Sequence, residues 1–184
     1  DVKVKTAEQL FEIYLSSVGR GSTLLLNIPP DQRGLFHEKD IESLKGYKKL
    51  LETEFAFNIA KKARVKTSSI RSNEAIYAGK MITDGKKDTY WTTDNDLSTG
   101  SFEIDLGKTA TVKYIVLQEY IRLGQRVKAF TVDIWKDGTW QKVAGATTIG
   151  YKRILKIDPV NTSKIRVNIN DSKACPLISN VEIY

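Results

Sequence analysis

Thr83-Asp84-Gly85-Lys86-Lys87-Asp88-Thr89-Tyr90-Trp91 is the stretch on which the fold of this chain turns. Asp-Gly marks a tight turn, because glycine reaches positive φ freely and a short carboxylate can bond the backbone two residues on. Two acids, a hydroxyl and a large aromatic lie close together around that turn. The stretch therefore predicts the corner of an antiparallel β-sandwich and a candidate metal-ordered loop.

Downstream of it the apolar residues alternate, as strands require. Val65 and Thr67 open the pattern. Phe102, Ile104 and Leu106 alternate, then Val112, Tyr114 and Val116. Phe130, Val132 and Ile134 lead into Lys136-Asp137-Gly138-Thr139, an Asp-Gly hairpin signal. Trp140 and Val143 follow on the return strand, and further strand-like runs occupy 151–157, 165–169 and 181–184. Short alternating runs with turn residues between them predict an antiparallel sandwich or barrel.

Upstream the period is helical. Thr6 with Gln9 forms a capping-box pattern ahead of Leu10, Ile13, Tyr14 and Val18, and Gly19 and Gly21 stop the helix. A second helix is predicted to follow Glu38 and run to about residue 54, with Ile41, Leu44, Tyr47 and Leu51 on one stripe. Between the two, Leu24-Leu25-Leu26-Asn27-Ile28 is apolar on both faces and ends at Pro29-Pro30, the pattern of a strand buried in a parallel sheet. Residues 1–54 offer such a strand no parallel neighbour. The helix–strand–helix piece is thus expected to be the end of a larger α/β domain. The chain begins at Asp1 and not at Met, and we expect a leader or a larger N-terminal portion before it.

The 184 residues are 41% hydrophobic and 28% charged, ordinary for a globular protein. No apolar run approaches the roughly 18 residues of a membrane span. The one cysteine, Cys175, excludes an internal disulfide and a thiolate zinc cage, and reads as a small buried hydrophobe. The single histidine, His37, gives no support to a His-based triad or metal site and is expected at a helix start. The net charge of +7 is uneven. Residues 1–54 carry 8 Lys and Arg against 9 Asp and Glu, and residues 55–184 carry 21 against 13. The basic residues are mostly single and interleaved with strand positions. That pattern suits a solvated sheet face, and alternatively a surface for an anionic partner.

Two resemblances follow from the motifs. Residues 1–53, through Val18-Gly19-Arg20 and Leu24-Leu25-Leu26-Asn27-Ile28-Pro29-Pro30, resemble the C-terminal end of the catalytic (β/α)8 barrel of α-L-fucosidases of glycoside hydrolase family 29. Residues 54–184 resemble the discoidin, or coagulation factor 5/8 type C, galactose-binding-like β-sandwich. Ile82-Thr83-Asp84-Gly85, Thr89-Tyr90-Trp91, Phe102-Glu103-Ile104-Asp105-Leu106-Gly107 and Asn180-Val181-Glu182-Ile183-Tyr184 carry that likeness. Leu117-Gln118-Glu119-Tyr120-Ile121-Arg122-Leu123-Gly124-Gln125-Arg126-Val127 is similar to the form of the module found fused to those fucosidases. The fold class expected is therefore mainly β, an antiparallel discoidin-like sandwich preceded by a barrel remnant.

The resemblance implies a retaining exo-α-L-fucosidase acting on fucosylated glycans, periplasmic or secreted in bacteria. Its nucleophile and acid/base, two carboxylates about 5–5.5 Å apart, would lie on earlier barrel strands. No catalytic residue is expected in this chain, and the missing N-terminal barrel would be its partner. No nucleic-acid partner and no membrane span are expected. A stand-alone carbohydrate-binding module without catalysis is the alternative.

The resemblance also implies a structural calcium at Asp84, Thr89 and Glu182, with carbonyls such as those of Met81, Lys86 and Val181 completing a shell of oxygens. Lys86 departs from the pattern by bringing a positive charge there. Asn27 is a candidate contact near the barrel rim. Glu119, Tyr120, Gln125 and Arg126 form a polar loop suited to sugar hydroxyls or to packing against the barrel. Trp91 and Trp140 are expected in the core, while Trp135 is expected to point outward as a sugar platform.

Overall fold

A computed structural model describes residues 4–184. Two helices, α1 (Ala7–Ser16) and α2 (Glu38–Glu54), precede seven strands: β1 (Arg64–Thr67), β2 (Trp91–Thr92), β3 (Gly100–Glu119), β4 (Val127–Lys136), β5 (Thr139–Ala146), β6 (Arg153–Ser172) and β7 (Leu177–Ile183). Every strand pairing is antiparallel.

Residues 100–105 of β3 pair with 164–169 of β6 and with β1, giving a layer in the order β5-β4-β6-β3-β1. Residues 110–117 of β3 pair with 153–162 of β6, and β7 and β2 extend that second layer. The register shifts between Asp105 and Ala110. There Gly107 takes φ 74° and its N–H donates to Asp105 Oδ1 at 2.8 Å. Pro159 lies in the part of β6 opposite a second shift, between Val112 and Tyr114, where a missing N–H removes no ladder bond. So the runs that alternate separately in sequence are halves of two long bent strands.

The core lies between the layers. Trp91, Phe102, Ile104, Val132, Ile134, Ile165, Val167 and Val181 are all buried there. Trp91 and Phe102 meet edge to face with centroids 5.4 Å apart, and the indole N–H donates to Ser69 O at 2.9 Å. The buried indole thereby leaves no polar atom unpaired.

The helices cover the outer face of the second layer. The Thr6–Gln9 capping box forms, and His37 caps α2 by accepting from Lys39 N at 3.2 Å. Phe11 sits 6.0 Å from both Phe55 and Tyr114, and Phe55 lies 5.1 Å from Tyr184. Val112 faces the inner core, whereas Tyr114 and Val116 face the helices. The register shift between Val112 and Tyr114 flips the side-chain sense. The three residues therefore do not share one face as their spacing predicts.

The strand expected over Leu24–Ile28 does not form. The segment is extended but pairs with nothing among the described residues. Leu24, Leu26 and Ile28 turn toward Leu10, Ile13 and Leu44 around a groove of 480 Å³, and Leu25 is 92% exposed. A parallel strand needs neighbours to bond its backbone, and the described residues supply none.

Burial first, then the nearby Glu182 carboxylate, pushes the Tyr14 and Tyr184 hydroxyls above the usual tyrosine range. Burial likewise raises Tyr47 and Tyr114. Unfolded tyrosine titrates near ~10. A raised folded value means stability that is complete below that pH and lost as pH climbs past it. We expect the melting temperature to fall more steeply above that point than in a Tyr184→Phe variant. Parallel alkaline melting curves for the two proteins would refute this.

Candidate functional site

The loop end of the sandwich is built on Glu119. This residue is 3% exposed, and its carboxylate accepts from Arg126 N, Val127 N and Gly150 N at 2.7, 2.9 and 2.7 Å. It clamps the 120–126 loop to the turn before β6, so it is not presented to a ligand as the loop's polarity suggests. Arg126 is also committed inward. Its Nη1 donates to both Cys175 O and Cys175 Sγ at 2.9 Å. Arg71 Nη2 reaches the same sulfur at 2.8 Å. Cys175 is buried as expected, but between two guanidiniums.

Of the four candidates in this loop, Tyr120 and Gln125 are the two left to the surface. Tyr120 stacks on Tyr90 at 4.6 Å, Tyr90 meets Tyr77 at 5.5 Å, and Arg71 caps the ladder 5.3 Å from the Tyr77 ring. Beside Tyr120 a cleft of 160 Å³ is lined by Lys87, Asp88, Gln118, Arg122 and Asn180. Arg122 pairs with Asp88 at 3.0 Å across its mouth. A flat aromatic beside amide and guanidinium donors is chemistry that suits sugar rings and hydroxyls. Sequence reasoning missed Arg71, Asp88 and Arg122, because the strand order that gathers them is not a local pattern.

At the Asp-Gly corner, Asp84 Oδ2 accepts from Thr89 Oγ1 at 2.9 Å, and Oδ1 accepts from Lys86 N at 2.8 Å. The carbonyls of Met81 and Lys86 each stand 3.5 Å from Thr89 Oγ1. Four oxygens thus converge as a hard cation requires, though a full shell needs about 6–8. Glu182 is engaged elsewhere, accepting from Asn180 Nδ2 and the Tyr184 hydroxyl, each at 3.0 Å. Among the described residues no three His, Cys, Asp or Glu side chains cluster.

Trp91 is fully buried, as expected. Trp140 is not in the core. It stands opposite Trp135 across the β4–β5 hairpin, with rings 5.2 Å apart and both half-buried on the outer face. Asn27 is exposed along the unpaired segment and lines the groove at α1 and α2.

Residues 64–182 match the F5/8 type C domain. The chain belongs to the F5/8 type C family. Beyond the F5/8 type C sandwich, the similarity extends over the helices. Alpha-L-fucosidase 1 of Arabidopsis thaliana is 32% identical over 184 residues, 98% of this chain and 36% of that protein. The crystal structure of SpGH29 superposes with a TM-score of 0.91 at 42% identity, covering 98% of this chain and 39% of that one. The Ruminococcus gnavus GH29 fucosidase E1_10125 in complex with fucose gives 0.90 at 30%, covering 98% and 37%. The chain therefore spans a little over a third of the length of the curated relatives it matches. No helix of the described residues is long and apolar enough to cross a membrane.

Proposed function

We propose that this chain is the C-terminal portion of a retaining exo-α-L-fucosidase that removes terminal α-L-fucose from glycoconjugates. On this proposal residues 1–53 end the catalytic barrel and residues 54–184 form its accessory module. The observation that carries it is that fucosidases match both the helices and the sandwich as one continuous stretch. The unpaired Leu24–Ile28 segment, with bonding groups on both edges, is what a last strand leaves when its neighbours lie in another part of the fold. The nucleophile and acid/base belong to that barrel, and fucosylated glycans are its substrate. We place the enzyme outside the cytoplasm, in the periplasm or secreted, because its substrates are cell-surface and secreted glycans.

Residues 1–184 alone are expected to leave an aryl α-L-fucoside untouched, while the same residues fused to the upstream barrel hydrolyse it with retention. Turnover by the isolated chain would refute the assignment. The accessory role rests on Tyr120, Gln125 and the adjoining cleft, which offer a sugar an aromatic face and polar donors.

At the Asp84–Thr89 corner we propose a structural calcium held by these two side chains and the carbonyls of Met81 and Lys86, with water completing the shell. Its chemistry there is to order the turn. Millimolar calcium is expected to raise the melting temperature by a few degrees over that in chelator, and less so in Asp84→Ala. Identical melts with and without calcium would count against the site.

A further inference from the structure

Alternation fixes the outer face of the five-stranded layer, since Ile104, Val132, Ile134, Ile165 and Val167 all point into the core. Register then lays the outward residues in rows. Lys66, Glu103, Arg166, Asp133 and Lys142 are successive cross-strand partners, alternating in sign. The next row runs Arg64, Asp105, Lys164 and ends beside Trp135, opposite Trp140. In the middle the charges satisfy one another. Arg166 Nε and Nη2 donate to Asp133 Oδ2 at 3.1 and 2.8 Å, and the guanidinium lies 4.4 Å over the Trp140 ring.

At the β1 end they do not. A cleft of 600 Å³ gathers Lys62, Arg64, Lys66, Lys80 and Lys164 around two carboxylates, Glu103 and Asp105. Among the described residues none of these seven groups forms a salt bridge. Uncompensated like charge opposes folding and attracts an opposite charge from solution.

We infer that this face binds an extended anionic polysaccharide, with acid groups in the β1 cleft and a sugar ring against Trp135. Four interstrand steps of about 4.8 Å separate β1 from β5, roughly 19 Å, the reach of a chain and not of one sugar. The embedded Glu103 and Asp105 oppose a dense phosphate backbone, which in duplex DNA carries a charge every ~1.7 Å. They tolerate a polymer whose charges are spaced by whole sugars. A recessed cleft without an apolar wedge also suits a chain better than a lipid surface. The inference concerns the sandwich alone and stands whether or not the fucosidase assignment holds.

The test is affinity electrophoresis of residues 1–184 through polygalacturonate, with dextran as the uncharged control. Polygalacturonate retards the protein, dextran does not, and affinity falls about tenfold between low and physiological salt as the Debye length shortens to ~8 Å. Lys66→Glu, at an exposed position, weakens binding about tenfold. Trp135→Ala weakens it about three- to tenfold at unchanged charge. Lys48→Glu, the same charge change on the exposed face of α2, leaves it unaltered. Absence of retardation overturns the inference. So does an equal loss in the two lysine variants, a Trp135→Ala variant that binds normally, or tighter binding of poly(dT) or phosphatidylserine vesicles than of polygalacturonate.

Discussion

A Glu119→Ala variant is expected to lose ~3–5 kcal/mol of folding stability. The carboxylate is removed from water at 3% exposure and has no cationic partner in salt-bridge range among the described residues. Three backbone N–H groups solvate it instead, from Arg126, Val127 and Gly150. Truncation leaves all three donors facing a cavity, and each unpaired buried donor costs about 1–3 kcal/mol. Glu119→Gln keeps the volume but turns one donor toward another, so its loss is smaller, about 1–3 kcal/mol. Urea unfolding followed by tryptophan fluorescence measures both. An alanine variant within about 1 kcal/mol of the parent would show that the clamp is dispensable.

Phe11→Ala carries the second large effect, a loss of about 3–5 kcal/mol, the range for a buried phenylalanine. Phe11 joins α1 to Phe55 and to Tyr114 of β3, and so couples the helix pair to the sandwich. All three tryptophans lie in the sandwich. In the variant, far-ultraviolet circular dichroism should therefore report helix loss at lower denaturant than fluorescence reports sandwich unfolding. In the parent the two probes should coincide. Coincident transitions in the variant, at an undiminished midpoint, would show that the helices do not depend on this contact.

The sandwich was legible because its evidence is local: alternating apolar residues, and Asp-Gly turns at Asp84 and Asp137. The misreadings come from register, which is not local. From the sequence, Trp140 is expected in the core. Yet the two-residue turn at Asp137-Gly138 already places Trp135 and Trp140 opposite each other, and opposed residues share a face. That rule places Trp140 on the surface beside Trp135, which the alternation already points outward. Spacing alone puts Val112 and Tyr114 on one face, because a bulge leaves no mark in a two-residue period. Leu24–Ile28 carries the composition of a buried strand, but a strand also needs pairing partners, and among the described residues it has none. At the candidate sites, the Asp84–Thr89 contact follows from spacing of five residues. The Arg71–Cys175–Arg126 cluster joins positions 104 and 49 residues apart and could only be seen once the strands were ordered.

The two bent strands have a further consequence. β3 and β6 are each 20 residues long and serve both layers, so neither layer can be completed while the other is absent. Their pairing joins segments such as 100–105 and 164–169, which lie far apart in sequence. Contact order is correspondingly high, and folding should fall in the slow millisecond-to-second regime of all-β domains. The return path is equally demanding, because opening any one edge leaves the shared strands paired elsewhere. Amides along β3 and β6 should exchange with solvent only through global unfolding. In surroundings rich in proteases, the lifetime of this domain is then set by one high barrier and not by its weakest strand.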